Sequence, residues 1–147
     1  MTDDPLALDN QVCFTLYAAN RAMTSLYRPL LDALGLTYPQ YLVMLALWEA
    51  DGQGESVRVS TLGRRLRLDS GTLTPLLKRL EAHGLVARAR SRVDERVVTV
   101  ALSESGRALR DRARSVPGEL MCRSGLDLEE AERLRSMLQS LLHRLDG

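Results

Sequence analysis

The stretch from Leu68 to Gly106, LDSGTLTPLLKRLEAHGLVARARSRVDERVVTVALSESG, changes its hydrophobic period partway along, and that change constrains the fold more than any other feature. Asp69 or Ser70 starts a helix in which Leu73, Leu76, Leu77 and Leu80 recur at three- and four-residue steps, and Gly84 stops it. Leu85 to Arg90 and Arg96 to Leu102 then alternate with period two, as paired strands do, around a charged tip from Ser91 to Glu95. Thr72, Thr74, Lys78 and Arg79 are left on the outward side of the helix.

Charge concentrates on the same segment. Residues 58 to 96 carry ten basic side chains against four acids, a local surplus of +6, whereas the other 108 residues sum to −5 and the whole chain to only +1. Such a patch attracts a polyanion through its local field rather than through total charge. Nineteen of the twenty basic residues are Arg, whose planar fork suits phosphates and guanine edges. An Arg-rich codon usage would raise the number of arginines but not cluster them. A helix, a hairpin and a cationic surplus together form the layout of a winged helix that reads DNA.

The rest of the chain extends this layout. From about Pro5 to Leu34 the pattern is helical, with Asp4 or Asp9 able to cap the start, Pro29 expected to kink or divide it, and Gly35 ending it. Thr37 and Pro39 open an apolar helix through Trp48, and Val59 to Leu66 forms a short helix with Ser60 as its expected cap. Ser103 caps a polar helix that Pro117 and Gly118 interrupt or end, and Asp127 opens a last amphipathic helix bearing Leu128, Leu134, Met137, Leu138, Leu141 and Leu142. The expected architecture is mainly α with a small β-hairpin wing, in one domain spanning 1–147. The winged helix covers about 37–102, and the terminal helices, about 5–34 and 103–146, are dimerisation helices. Long apolar helices at both ends of so small a domain call for a partner chain. A homodimer also suits a pseudo-palindromic operator, because two recognition helices then lie roughly 34–36 Å apart.

Several classes of function are disfavoured. The longest strongly apolar run, Tyr41 to Trp48, is far short of a membrane span, and the acidic start MTDDPLALD does not read as a secretion signal, so a cytoplasmic protein is expected. Cys13 and Cys122 lie too far apart in sequence for a metal-ligand spacing, and His83 and His143 fall on different helices. No metal, cofactor or catalytic turnover is expected.

The residues NQVCFTLYAANRAMTSLYRPLLDALGLTYPQYLVMLALWE at the front, LDSGTLTPLLKRLE in the recognition helix, and the Asp94-x-Arg96 wing followed by LSESG resemble the MarR family of winged-helix transcription regulators. They are most similar to its organic hydroperoxide resistance branch. The resemblance implies that the helix from Asp69 to Glu81 enters the major groove, with Ser70, Thr72, Thr74, Lys78 and Arg79 nearest bases or phosphates. Arg92 and Arg96 would reach a minor groove or its phosphates with Asp94 orienting an arginine, and Arg88 and Arg90 would meet phosphates.

It also implies a switch. Cys13 lies near a helix start, where the macrodipole favours negative charge. Tyr17, Tyr27 and Tyr38 follow it at the offsets where the family's sensors place tyrosines against a reactive sulfur. On this reading Cys13 is oxidised by an organic hydroperoxide and Cys122, of the opposite subunit or of the same one, resolves it to a disulfide. Two alternatives stay open: a repressor released by a non-oxidising aromatic or carboxylate ligand, and a Cys122 that is a bystander.

Overall fold

The computed structural model describes residues 3–54 and 56–147. Helix α1 (Val12–Asp32) is followed by α2 (Tyr38–Gly52), strand β1 (Val57–Arg58), α3 (Val59–Leu66), α4 (Ser70–Ala82), β2 (Val86–Arg90), β3 (Val98–Leu102), α5 (Glu104–Ala113), α6 (Val116–Ser124) and α7 (Leu128–Leu145). The chain divides into two compact units, Arg28–Arg114 on the one hand and the two terminal segments, up to Tyr27 and from Ser115, on the other.

The 28–114 unit is built around α2, whose entry is specified locally. The Thr37 hydroxyl accepts from the Gln40 amide and the Gln40 side chain accepts from the Thr37 amide, a reciprocal cap that satisfies two orphan N–H groups. Tyr41, Val43, Met44, Leu47 and Trp48 are then buried, and α2 packs on α3, α4, β3 and α5. The stripe anticipated in α4 is buried in full: Leu73, Leu76, Leu77 and Leu80. Strands β2 and β3 pair antiparallel from Val86 opposite Leu102 to Arg90 opposite Val98. β1 adds a third strand beside β3, giving the order β1-β3-β2.

Four details depart from the sequence reading. β1 has only two residues, too few to display alternation. Because it runs directly into α3, Arg58 stands at the cap position and Ser60 lies inside the helix. α1 starts at Val12, after a 3-10 turn of Leu8–Asn10, and the Asp4 carboxylate instead accepts from the Leu6 amide. Pro29 does not divide α1, which runs on to Asp32. A proline in the last turn forfeits only one amide bond, and the chain closes through Gly35 at φ +71 with the Leu36 amide bonded back to the Leu31 carbonyl.

The hairpin is tied to the helices at one tight point. The Trp48 indole N–H donates to the Gly106 carbonyl at 2.8 Å, the Ser103 hydroxyl accepts from the Gly106 amide at 3.0 Å, and Arg107 meets Asp51 at 2.9 Å. Gly106 is buried, and a Cβ there would run into the Leu85 backbone carbonyl.

In the terminal segments the situation is different. α7 has no buried residue, and α1 has none before Leu30. Val12, Leu128, Met137 and Leu145 are each at least 70% exposed, and Phe14, Leu16, Leu134 and Leu142 are exposed too. Among the described residues, nothing in the single chain covers these apolar side chains. Helices of this kind are stabilised by burial of one face rather than by propensity.

The Gly106 contact generates a prediction. Gly106→Ala should cost about 1–3 kcal/mol, as other forced overpacking does, seen as a lower urea midpoint at an unchanged slope. An unchanged midpoint would mean that the α5 start and the Leu85 carbonyl can separate freely.

Candidate nucleic-acid interface and thiol site

The first candidate site lies within the 28–114 unit. The Asp69 carboxylate accepts from the Thr72 amide at 2.8 Å and starts α4. Four leucines hold one face of α4 in the core, so Ser70, Thr72, Lys78 and Arg79 are exposed on the other, with Thr74 half-buried. Arg67 precedes this helix in the left-handed conformation (φ 58), which closes the turn between α3 and α4 where Gly is the usual residue.

The wing is held by its own side chains. The Ser91 amide donates to the Val97 carbonyl at 2.8 Å, and the Arg90 guanidinium donates to the Glu95 carbonyl at 2.9 Å. Asp94 accepts from the Arg96 backbone amide at 3.0 Å and from its Nε and Nη2 at 3.1 and 3.2 Å. The Arg96 side-chain bonds, then its amide and the nearby Arg58, hold the Asp94 carboxyl below the usual carboxylate range. Arg96 is nevertheless 91% exposed, so its stem is oriented while its outer edge faces solvent. Arg92 is exposed at the tip.

Arg88 is placed differently. Its amide donates to Glu81 at 2.9 Å and its guanidinium to the same carboxylate at 3.2 Å, joining the last turn of α4 to β2. These bonds, the backbone one foremost, keep the Glu81 carboxyl below its ordinary range. Arg88 is only 25% exposed, Glu81 holds its guanidinium, and its Nε is buried with no partner.

Arg58, Arg64 and Arg67 line a cleft of about 560 Å³ together with Arg96, Asp69 and Ser70, between α3, the start of α4 and the base of the wing. All three arginines belong to the basic cluster. Only the fold, through β1 and the Arg67 turn, turns them toward Arg96.

The second candidate site belongs to the terminal unit. Cys13 is a free, exposed thiol at the second position of α1, and Tyr17 stands one turn further along, also exposed. The Tyr17 hydroxyl accepts from Arg21 at 2.7 Å. Tyr27 is half-buried on the same unbroken helix, about 21 Å from Cys13 at 1.5 Å per residue. Tyr38 lies in the 28–114 unit, beside Tyr41 at 6.5 Å between ring centroids, and burial pushes its phenol pKa up. Cys122 is a second free, exposed thiol, in α6. Among the described residues there is no group of three or more potential metal ligands, and no helix is long and apolar enough to cross a membrane.

A recognition helix with a polar outer face, a three-stranded wing and unfinished terminal helices define a winged-helix transcription regulator. The family model described as transcriptional regulator SarA/Rot matches residues 25–113. The chain is 48% identical over 142 residues to the organic hydroperoxide resistance transcriptional regulator of Bacillus subtilis (strain 168), covering 97% of this chain and 94% of that one. It therefore belongs to the MarR/SarA-type winged-helix transcriptional regulators. Among solved structures, reduced AbfR of Staphylococcus epidermidis bound to DNA is 35% identical with a TM-score of 0.75, each chain covered to 95%. A disulfide-formed AbfR matches at TM-score 0.63 and 34% identity over 95% of this chain and 93% of that one. CouR of Rhodococcus jostii RHA1 bound to p-coumaroyl-CoA matches at 0.77 and 27%, covering 92% and 94%.

The Glu81–Arg88 link gives a pH signature. A carboxyl whose pKa is lowered by folding stabilises the fold above its unfolded pKa, and this contribution disappears as pH falls through the folded value. Glu81→Gln should therefore lower the thermal midpoint near neutral pH, and the two proteins should converge as pH is brought below the ordinary carboxylate range. Parallel midpoint curves at all pH values would remove the ion pair from the account.

Proposed function

We propose that this DNA-binding transcriptional regulator is a homodimeric repressor that leaves its operator when an organic hydroperoxide oxidises Cys13. The observation that carries the reading is an exposed thiol at the head of α1, one turn from Tyr17, on a helix whose apolar face the single chain leaves uncovered. The 48% identity to a hydroperoxide resistance regulator supports it.

On DNA, Ser70, Thr72, Thr74, Lys78 and Arg79 of α4 meet the major groove. Arg90, Arg92 and Arg96 of the wing meet phosphates or the adjoining minor groove, with Asp94 presenting Arg96. Hydroxyl side chains read many bases, so much of the affinity is electrostatic. Arg88 is set apart from this group because Glu81 already holds it.

A second copy of the chain covers the apolar faces of α1 and α7. Tyr27 cannot reach Cys13 along its own helix, so it meets the sulfur only across an antiparallel pair of α1 helices, one from each protomer. Phe14, Leu16 and Met23 provide apolar walls that favour a lipid or aryl peroxide. The Cys13 thiolate attacks the terminal peroxide oxygen and the O–O bond breaks. The alkoxide takes a proton and leaves as an alcohol, and the sulfur, oxidised by two electrons, becomes a sulfenic acid. The Cys122 thiolate of the opposite subunit then attacks that sulfur, water is lost, and a disulfide forms. AbfR, which has a solved disulfide form, gives this two-cysteine route its support. The CouR neighbour favours the other reading, a non-oxidising acyl ligand in the same class of fold.

Cumene hydroperoxide at one equivalent should release the wild-type protein from its operator, and dithiothreitol should restore binding. Cys13→Ser should stay bound, and Cys122→Ser should stop at the sulfenic acid without a disulfide. Release of Cys13→Ser by peroxide would overturn the sensor, whereas a thiol-independent inducer acting on it would identify the ligand-regulated reading. On the DNA side, Arg96→Ala should weaken binding to all sequences and lower the salt slope by roughly one unit, while Arg88→Ala should leave the slope unchanged.

A further inference from the structure

We propose that the cleft between α3, the start of α4 and the base of the wing seats the sugar–phosphate backbone of double-stranded DNA, with Arg58, Arg64 and Arg67 as its phosphate rim. The proposal rests on the groove assignment of α4 and the wing made above and is independent of the thiol switch. In B-DNA a single backbone strand separates each major groove from the minor groove beside it. A chain that puts α4 in the one and Arg92 and Arg96 in the other must straddle that strand. The cleft lies at the crossing point, because Asp69 and Ser70 at the start of α4 and Arg96 to Val98 at the base of the wing all line it.

Its lining suits a sugar–phosphate unit in both charge and polarity. Among the described residues, four arginines, Arg58, Arg64, Arg67 and Arg96, line it against one acid, Asp69, whose carboxylate already accepts from the Thr72 amide at 2.8 Å. Arg65, the other cation of α3, lies outside the cleft and is paired with Glu49. Val59, Leu68 and Val98 add half-buried apolar surface. At about 560 Å³ the cleft is far too large for a phosphate ion alone, but it has room for a deoxyribose on the apolar side chains and a phosphate on the guanidinium groups. The backbone at Arg67 is a second observation. Its φ is 58, a left-handed value that glycine adopts without strain, and the Leu68 amide closes the turn on the Gly63 carbonyl at 2.9 Å. Gly63 has no room for a side chain, since a Cβ there would stand 2.9 Å from the Leu68 carbonyl oxygen. A tight turn that keeps an arginine where its conformation favours glycine points to a task for that side chain.

The test follows binding of the full-length dimer by fluorescence anisotropy across a sodium chloride series. Two duplexes are used, one selected by the wild-type protein from a random pool and a scrambled one of the same length and composition. Arg64→Ala and Arg67→Gly should each weaken binding to both duplexes by the same factor, about three- to tenfold. A phosphate held by several arginines is released only when the rim is dismantled. Each single change should therefore lower the slope of log K against log salt by a fraction of a unit per subunit, and the double variant by about one unit. Arg67→Gly should keep or raise the urea midpoint, because glycine relieves the positive φ, so its loss of binding is read on a folded protein. Slopes that fall by a full unit for each change and by two for the pair would mean separate phosphates and overturn the seat. A loss confined to the selected duplex would mean base reading and overturn it as well. So would unchanged binding, and if sodium pyrophosphate then released the wild-type protein but not Arg67→Gly, the cleft would belong to a free phosphate compound. Weakened binding by Lys78→Ala and Arg96→Ala beside unaffected rim variants would remove the seat alone, whereas no effect from any of the four would remove the groove assignment too.

Discussion

The apolar faces of α1 and α7 govern this protein, because a single chain cannot take them out of water. In the 28–114 unit the accounts are closed within the chain: α2 and α4 have side-chain caps, and Leu73, Leu77, Leu80 and Val100 are at most 1% exposed. The terminal helices have no such core. At about 25 cal/mol per Å² of apolar surface buried, covering several exposed Leu, Val and Met side chains is a strong drive toward association. A second copy supplies matching faces by symmetry. The consequence is a division of labour, in which one chain forms a finished reader and two chains are needed to complete the helices that carry the thiols.

This division accounts for the location of the proposed switch. A cysteine in the core of the reader would report by unfolding it. At the head of α1, Cys13 sits on the helix that association must bury, so a new bond or a new polar oxygen there changes how two chains fit together. Operator binding by a symmetric dimer depends on the spacing of two recognition helices. A small chemical change at the interface therefore acts on affinity without touching a DNA contact. The rigidity of the reader helps: Trp48 to Gly106, Arg107 to Asp51 and Arg88 to Glu81 tie hairpin and helices together.

Much of this was legible in the residues, and the reason is local. Leucine stripes, capping residues and the change of period around Gly84 are written in adjacent positions, so α3, α4, the hairpin and the starts of α2, α5 and α7 read directly. β1 did not, since two residues hold no pattern and the strand exists only because β3 offers an edge. Pro29 leaves α1 undivided because the cost of a proline depends on how near the helix end lies. Arg88 looked like its neighbours Arg90 and Arg92. Only tertiary pairing with Glu81, across the turn at Gly84, distinguishes it.

The central claim is that the thiol site is assembled from two chains, and a mixed dimer of one Cys13→Ser subunit with one Cys122→Ser subunit tests it most directly. That heterodimer retains one Cys13 facing one Cys122, on different chains. The account predicts that cumene hydroperoxide links the two chains by a dithiothreitol-reversible disulfide and releases the operator. No link in the mixed dimer, where wild-type protein forms one, would place the disulfide within a subunit and contradict the account.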